Sequence, residues 1–206
     1  MTRKMYMCFC VIMIVGPMIL SGCASRETYD KQHFVLSAVR EAESVKQGTD
    51  HVLELRRFTV NSAFKGKGLV YRIGDHEYET DFYSEFLISP SDMVTEKTRN
   101  WLSRSNLFQR VLDIGSQVDP THVIEGNVAA LYGDFRDKSS PKATMEIWMF
   151  LLHVASGKEP VLVLGQRYQS SVDIKSEGPE GLMEALDRCL IQILSDWEKD
   201  LTERLL

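Results

Sequence analysis

The sequence has 206 residues, 44% hydrophobic and 26% charged, long enough for one domain with a real core. Its 29 acidic against 24 basic residues give a net charge of −5, which argues against the cationic surface that nucleic-acid binding needs. The same balance argues against a polybasic grip on anionic lipid.

The N-terminus reads as an export signal. Arg3 and Lys4 precede sixteen uncharged residues, Met5 to Leu20. A membrane-spanning helix needs about 20 apolar residues, and Gly16-Pro17 would break this run near its end. An uncleaved anchor therefore fits less well than a secretory signal, which has a positive start, a short apolar middle and small exit residues. Leu20-Ser21-Gly22-Cys23 resembles the bacterial lipobox, with cleavage expected between Gly22 and Cys23. Small side chains admit the peptidase. The Cys23 thiol would take a thioether-linked diacylglycerol and its freed amino group an N-acyl lipid. Two or three acyl chains, at about 0.8 kcal/mol per buried methylene, hold a protein stably on a membrane. Ala24 rather than Asp follows the cysteine, so the expected location is the periplasmic face of the outer membrane. Residues 1–22 are thus read as a lipoprotein signal peptide. Residues 23–33 are the lipidated N-terminus and a short tether, and residues 34–206 a single periplasmic domain.

Loss of Arg3 and Lys4 leaves 22 basic against 29 acidic residues, so the mature chain carries −7. Cys8 and Cys10 leave with the signal and Cys23 is consumed by lipid. Cys189 alone remains, and no internal disulfide is possible. It lies on the apolar stripe of a helix, as a buried small hydrophobe would.

In chain order, His33–Leu36 is a first extended segment and residues 40–50 a polar loop. His51–Val60 alternates as a strand with an extra residue near Arg56-Arg57. Leu69–Ile73 is a second strand, Gly74-Asp75 a turn, and Glu77–Ile88 a β-prone aromatic run. Ser89, Pro90 and Asp92 then read as N-cap, first helical position and first-turn acid. The spacing predicts a helix over 90–105, packed through Val94, Trp101 and Leu102. Leu107–Leu112 is a short strand. Thr121–Phe135, Ala143–Ala155 and Pro160–Ile174 are three long strands in succession, expected as an antiparallel meander. Ser156-Gly157-Lys158 turns the last hairpin. From Gly178, Leu182, Leu186, Cys189, Leu190, Ile193, Trp197, Leu201 and Leu205 recur at helical steps. The order strands, helix, strands, helix predicts an α+β fold: a mainly antiparallel sheet with two helices packed on one face.

No catalytic signature emerges. The five histidines lack the spacing of a metal site. Asp75-His76-Glu77 reads as a solvated turn, and Lys65-Gly66-Lys67-Gly68 as a loop without the rest of a phosphate-binding motif. No GxSxG elbow is present. The expectation is a non-enzymatic protein without metal or cofactor, carrying only the covalent lipid on Cys23.

What stands out is the aromatic, strand-rich block from Leu69 to Leu112. Val70-Tyr71-Arg72, the aromatic strand at Tyr83, Pro90 opening a helix, Trp101-Leu102, Phe108 and Val111 resemble the ABC-type transport auxiliary lipoprotein family (PqiC-like). The upstream Leu55-Arg56-Arg57-Phe58 and the lipobox fit it too, and the likeness covers most of the mature chain. The resemblance implies an auxiliary or docking subunit at the outer-membrane end of an MCE/ABC-type system for intermembrane lipid transport. Its implied partners are an MCE-domain protein and inner-membrane permease or ABC components, and it implies a homo-oligomeric ring. Lipid anchoring would raise the effective concentration near such a partner. An exposed sheet face or edge would bind by surface contact or strand addition. Tyr71, Tyr78, Phe82, Tyr83 and Phe86 are the candidate partner-binding residues. Period-two alternation predicts that about half of them pack in the core instead. The competing function is an envelope-assembly lipoprotein, either a lipopolysaccharide-insertion partner or a peptidoglycan-synthase activator. A tether of about ten residues is short for reaching through the wall.

Overall fold

The computed structural model describes residues 30–113 and 115–206; the residues read as a signal peptide, and the cleavage and lipidation site read at Gly22 and Cys23, lie outside the described residues. Lys31–Leu206 forms one compact unit. Its strands are β1 (Gln32–Phe34), β2 (Val52–Leu55), β3 (Thr59–Val60), β4 (Gly68–Arg72), β5 (Tyr78–Phe86), β6 (Arg110–Leu112), β7 (His122–Asp134), β8 (Lys142–His153) and β9 (Val161–Asp173). Helix α1 spans Pro90–Ser105 and helix α2 spans Gly178–Leu205.

β7 is the spine of the sheet. One edge pairs antiparallel with β8 along its length, and β8 pairs antiparallel with β9, giving the expected meander. The other edge takes three short strands in turn, all parallel: β2 at His122–Ile124, β3 at Asn127–Val128 and β4 at Gly133–Asp134. β2 pairs further with β6 in parallel, β4 with β5 antiparallel, and β5 with β1 in parallel. The sheet is thus mixed, although most of its residue pairs are antiparallel. The parallel joins of β2, β3 and β4 to β7, and of β2 to β6, follow from connectivity. Helix α1 carries the chain back across the sheet before β6 and β7, and such a crossover is what a parallel pair requires.

The reading of His51–Val60 as one strand is corrected. Pairing stops after Leu55 and resumes at Thr59. In between, Phe58 turns fully into the core, its N–H donates to Thr95 Oγ1 at 2.9 Å, and its carbonyl accepts from Ser91 Oγ. Gly126 makes room for the ring: a Cβ there would lie 2.6 Å from Phe58. Leu107–Leu112 is likewise shorter than expected. Only Arg110–Leu112 pairs, while Leu107 and Phe108 fill the core.

Helix α1 begins where its cap dictates. Ser89 is extended and its Oγ accepts from Asp92 N at 3.2 Å, with Pro90 in the first turn. It ends at Asn106 in the left-handed conformation, φ 59°. Val94, Trp101 and Leu102 are buried, as expected. In α2 the stripe Leu182, Leu186, Cys189, Leu190, Ile193, Trp197 and Leu201 is buried over β8 and β9. β8 contributes Ala143, Met145, Ile147, Met149 and Leu151, every second residue, to the same core. The two helices meet, with Trp101 Nε1 donating to Glu198 Oε2 at 2.7 Å.

The segment from Leu36 to Thr49, largely read as a polar loop, is a strap across both helices. Asp187 Oδ1 accepts from Ser37 N and Ala38 N at 2.6 and 3.1 Å. Arg40 is buried against Glu198. Further on, Val45 N donates to Ser105 O at 2.9 Å and Thr49 N to Leu107 O at 2.8 Å. Gly48 passes so close to α1's end that a Cβ would lie 2.0 Å from Asn106 O.

Candidate functional site

The titratable groups that burial singles out are structural. Cys189 is buried, its Sγ 3.4 Å from Ala143 O and 3.7 Å from Ser170 O, and burial raises its pKa, which disfavours the thiolate a nucleophile needs. Burial raises the pKa of Asp187 as well, against the two strap amides that favour its charged form. Asp75 sits in the expected turn and is held by Arg136, which also binds Asp134.

One cluster was not legible in the histidine spacing. His51 precedes β2, His122 opens β7 and His153 closes β8, and the register sets His122 directly opposite His153. The ring centroids of His51 and His122 lie 4.2 Å apart, those of His122 and His153 5.0 Å apart. His122 is buried, with Thr121 Oγ1 3.0 Å from its Nδ1. Burial, then the two neighbouring imidazoles, lowers its pKa to about 4. Among the described residues no group of three His, Cys, Asp or Glu is arranged to hold a metal ion.

The five aromatic candidates do not form one surface. Phe86 is 3% exposed and belongs to the core, so packing accounts for it. Tyr71 is partly buried in β4, its hydroxyl donating to Asp81 Oδ2 at 3.2 Å and its ring 5.5 Å from Phe135. Burial, then Asp81, raises its pKa. Tyr78 is exposed and stands edge-on to Tyr132 at 5.6 Å, with the Arg72 guanidinium 5.6 Å from its ring centroid. Phe82 and Tyr83 are the outermost, 69% and 47% exposed. They ride a bulge in β5. The pairing with β4 jumps from Val70↔Thr80 to Gly68↔Glu85, leaving four residues of β5 opposite one of β4. Asp81 Oδ1 closes the bulge by accepting from Tyr83 N and Ser84 N at 2.8 and 2.9 Å.

A second exposed surface lies on the side of β7–β9 away from the helices. Trp148 stands there 41% exposed, opposite Asn127 of β7 and Arg167 of β9. Phe150 is next on the same face, above Gly165, where a Cβ would meet its ring at 2.9 Å. At the hairpin end of β9, Val161 and Leu162 are 60% and 57% exposed. Among the described residues β9 pairs with β8 alone, so its outer edge is open. Arg204 Nε of α2 reaches the Val163 carbonyl at 3.2 Å, beside a groove of about 560 Å³ lined by Leu162–Gln166, Asp200, Glu203 and Arg204. Trp148 was not among the sequence candidates. Its signal was present in the alternation, since it shares a face with Thr144 and Glu146 rather than with the buried Met145, Ile147 and Met149.

No helix among the described residues is long and apolar enough to cross a membrane. No protein-family model matches the sequence, and no curated protein matches it. The fold, however, has solved counterparts. The structure is similar to that of a DUF330 protein from Xanthomonas campestris, with TM-score 0.69 and 13% identity over 81% of this chain and 92% of that one. An uncharacterized protein is similar at TM-score 0.67 and 13% identity, over 84% of this chain and 99% of that one. A hypothetical protein from Chlamydia trachomatis matches at TM-score 0.52 and 8% identity, over 75% of this chain and 99% of that one. The chain therefore shares its fold with a DUF330 protein, across nearly the whole length of that protein.

Proposed function

We propose that this protein is a lipid-anchored, periplasmic, non-enzymatic docking subunit of an MCE/ABC-type intermembrane lipid transport system, held on the outer membrane through Cys23. The observation that carries the docking role is the uncovered face of the meander, where Trp148 and Phe150 sit among polar neighbours and run toward the exposed Val161 and Leu162. An exposed aromatic ringed by polar groups is the composition of a protein-binding surface. The lipobox and the PqiC-like residues of the Leu69–Leu112 block support the same reading, and the fold shared with a DUF330 protein is compatible with it.

The strap gives the anchor a mechanical sense. Beyond the first strand, the chain is tied to α2 through Asp187 and Glu198. The domain is thereby held as one body near the membrane while the meander face stays free for a partner.

Affinity purification from detergent-solubilised envelopes tests the reading, using a C-terminally tagged chain and a Cys23→Ala control. Co-purification of an MCE-domain protein and its permease with the lipidated chain supports it. Recovery of wall-synthesis or lipopolysaccharide-assembly proteins in their place overturns it.

A further inference from the structure

The β5 bulge stands beside the point where the chain leaves the folded unit toward Cys23. Lys31, the first residue of that unit, places its Nζ 5.0 Å from the Phe82 ring centroid and 3.0 Å from Glu85 Oε2. Phe82 and Tyr83 pack edge-on at 5.2 Å and project together. Beside them, Leu87 N donates to Phe34 O at 2.8 Å, and the flanking Val35 and Leu87 both turn outward, about half exposed. Lys67 Nζ lies 2.8 Å from Leu87 O. Val35, Phe82, Tyr83 and Leu87 thus make an apolar rim with Lys31 and Lys67 at its margin. Eight residues lead from Cys23 to Lys31, a span of at most about 28 Å when fully extended.

We infer that this rim is a membrane-contact surface, in which Phe82 and Tyr83 enter the headgroup region of a phospholipid layer beside the lipidated N-terminus. The inference rests on the reading of Cys23 as the lipid anchor. Aromatic side chains favour the membrane interface, and lysines at such a margin lay their stems along apolar surface while keeping the ammonium in water. The position favours lipid over a protein partner, because a tether this short keeps the rim within reach of the bilayer that holds the acyl chains. Glu85 is satisfied by Lys31 and His33 at the surface. The rim is close to neutral, so the contact depends on apolar insertion rather than on anionic lipid. The second contact fixes the orientation of the domain on the membrane, which one anchor point alone does not.

The test uses the full lipidated chain in vesicles of phosphatidylethanolamine and phosphatidylglycerol. Phe82→Cys and, separately, Val161→Cys are labelled with an environment-sensitive fluorophore; Cys189 is buried and Cys23 is blocked by lipid. Mass spectrometry of the N-terminus establishes lipidation independently. The expected result is a blue shift at position 82 and loss of its emission to spin-labelled lipid, unchanged in high salt, with position 161 unquenched. Lipidated, vesicle-bound protein with position 82 in an aqueous environment overturns the inference while leaving the anchor intact. Equal quenching at both positions also overturns it, since the contact is then not specific to the rim. A mature chain without lipid on Cys23 removes the anchor reading and the inference with it.

Discussion

Arg40 and Glu198, 158 positions apart in sequence, pair in the interior through two hydrogen bonds of 2.8 and 2.7 Å, Nε to Oε2 and Nη2 to Oε1. The same Oε2 accepts from Trp101 Nε1 at 2.7 Å. One carboxylate therefore joins the strap, α1 and α2. The Glu198 hydrogen bond raises the Arg40 pKa against the opposing effect of burial, so the guanidinium stays charged and needs its partner.

Removing that partner leaves a buried cation without its counter-charge, held only by the Ala42 and Glu43 carbonyls, and strands an indole N–H. Glu198→Ala is expected to destabilise the domain by about 3–5 kcal/mol, read by denaturant unfolding. The double variant with Arg40→Ala should lose clearly less than the sum of the two single losses. Additive losses would show that the pair is not coupled.

His122 sets an acid limit. Its folded pKa of about 4 lies below the ordinary value near 6.5. Well above pH 6.5 the ring is neutral in both folded and unfolded chains and contributes nothing. As pH falls below 6.5 the unfolded chain binds a proton that the folded chain does not, so stability declines until about pH 4 and then levels off. The loss is up to about 3 kcal/mol. The difference in unfolding free energy between the wild type and His122→Leu should change across this window and be flat above it. A pH-independent difference would contradict the assignment.

The close approach of Phe58 to Gly126 gives a steric prediction. Gly126→Ala places a methyl against the ring and is expected to cost about 1–3 kcal/mol by overpacking. Phe58→Leu in the same chain should recover part of that cost. Equal destabilisation with and without Phe58→Leu would locate the strain elsewhere.

Cys189 should be silent toward a thiol reagent in the native state. It is buried, and burial raises its pKa. In a chain beginning after Cys23, whose one cysteine is Cys189, one equivalent of thiol is expected to appear only on unfolding, at the rate of unfolding. Fast labelling of native protein would contradict this packing.

The parts of the fold that read directly from the sequence are those written locally. Ser89, Pro90 and Asp92 place the start of α1 because a cap bonds within its own turn. The three long strands and the stripe of α2 read equally well, since each period persists for many residues. What did not read was set by distant partners. The break at Arg56–Phe58 depends on Thr95 and Gly126, and the strap depends on a glutamate near the end of the chain. The parallel joins to β7 depend on where α1 delivers the chain. Of the candidate site, Phe82 and Tyr83 read as aromatic but not as a bulge, because the Asp81 turn that expels them resembles ordinary strand sequence. Phe86 looks the same in the sequence and packs inward.

The docking role is tested most directly at Trp148. A photo-crosslinking amino acid at this position, in the lipidated chain in living cells, is predicted to capture an MCE-domain protein, with much weaker capture in the Cys23→Ala background. Crosslinks from Trp148 only to wall-synthesis or lipopolysaccharide-assembly proteins, or equal capture without the lipid, would contradict the account.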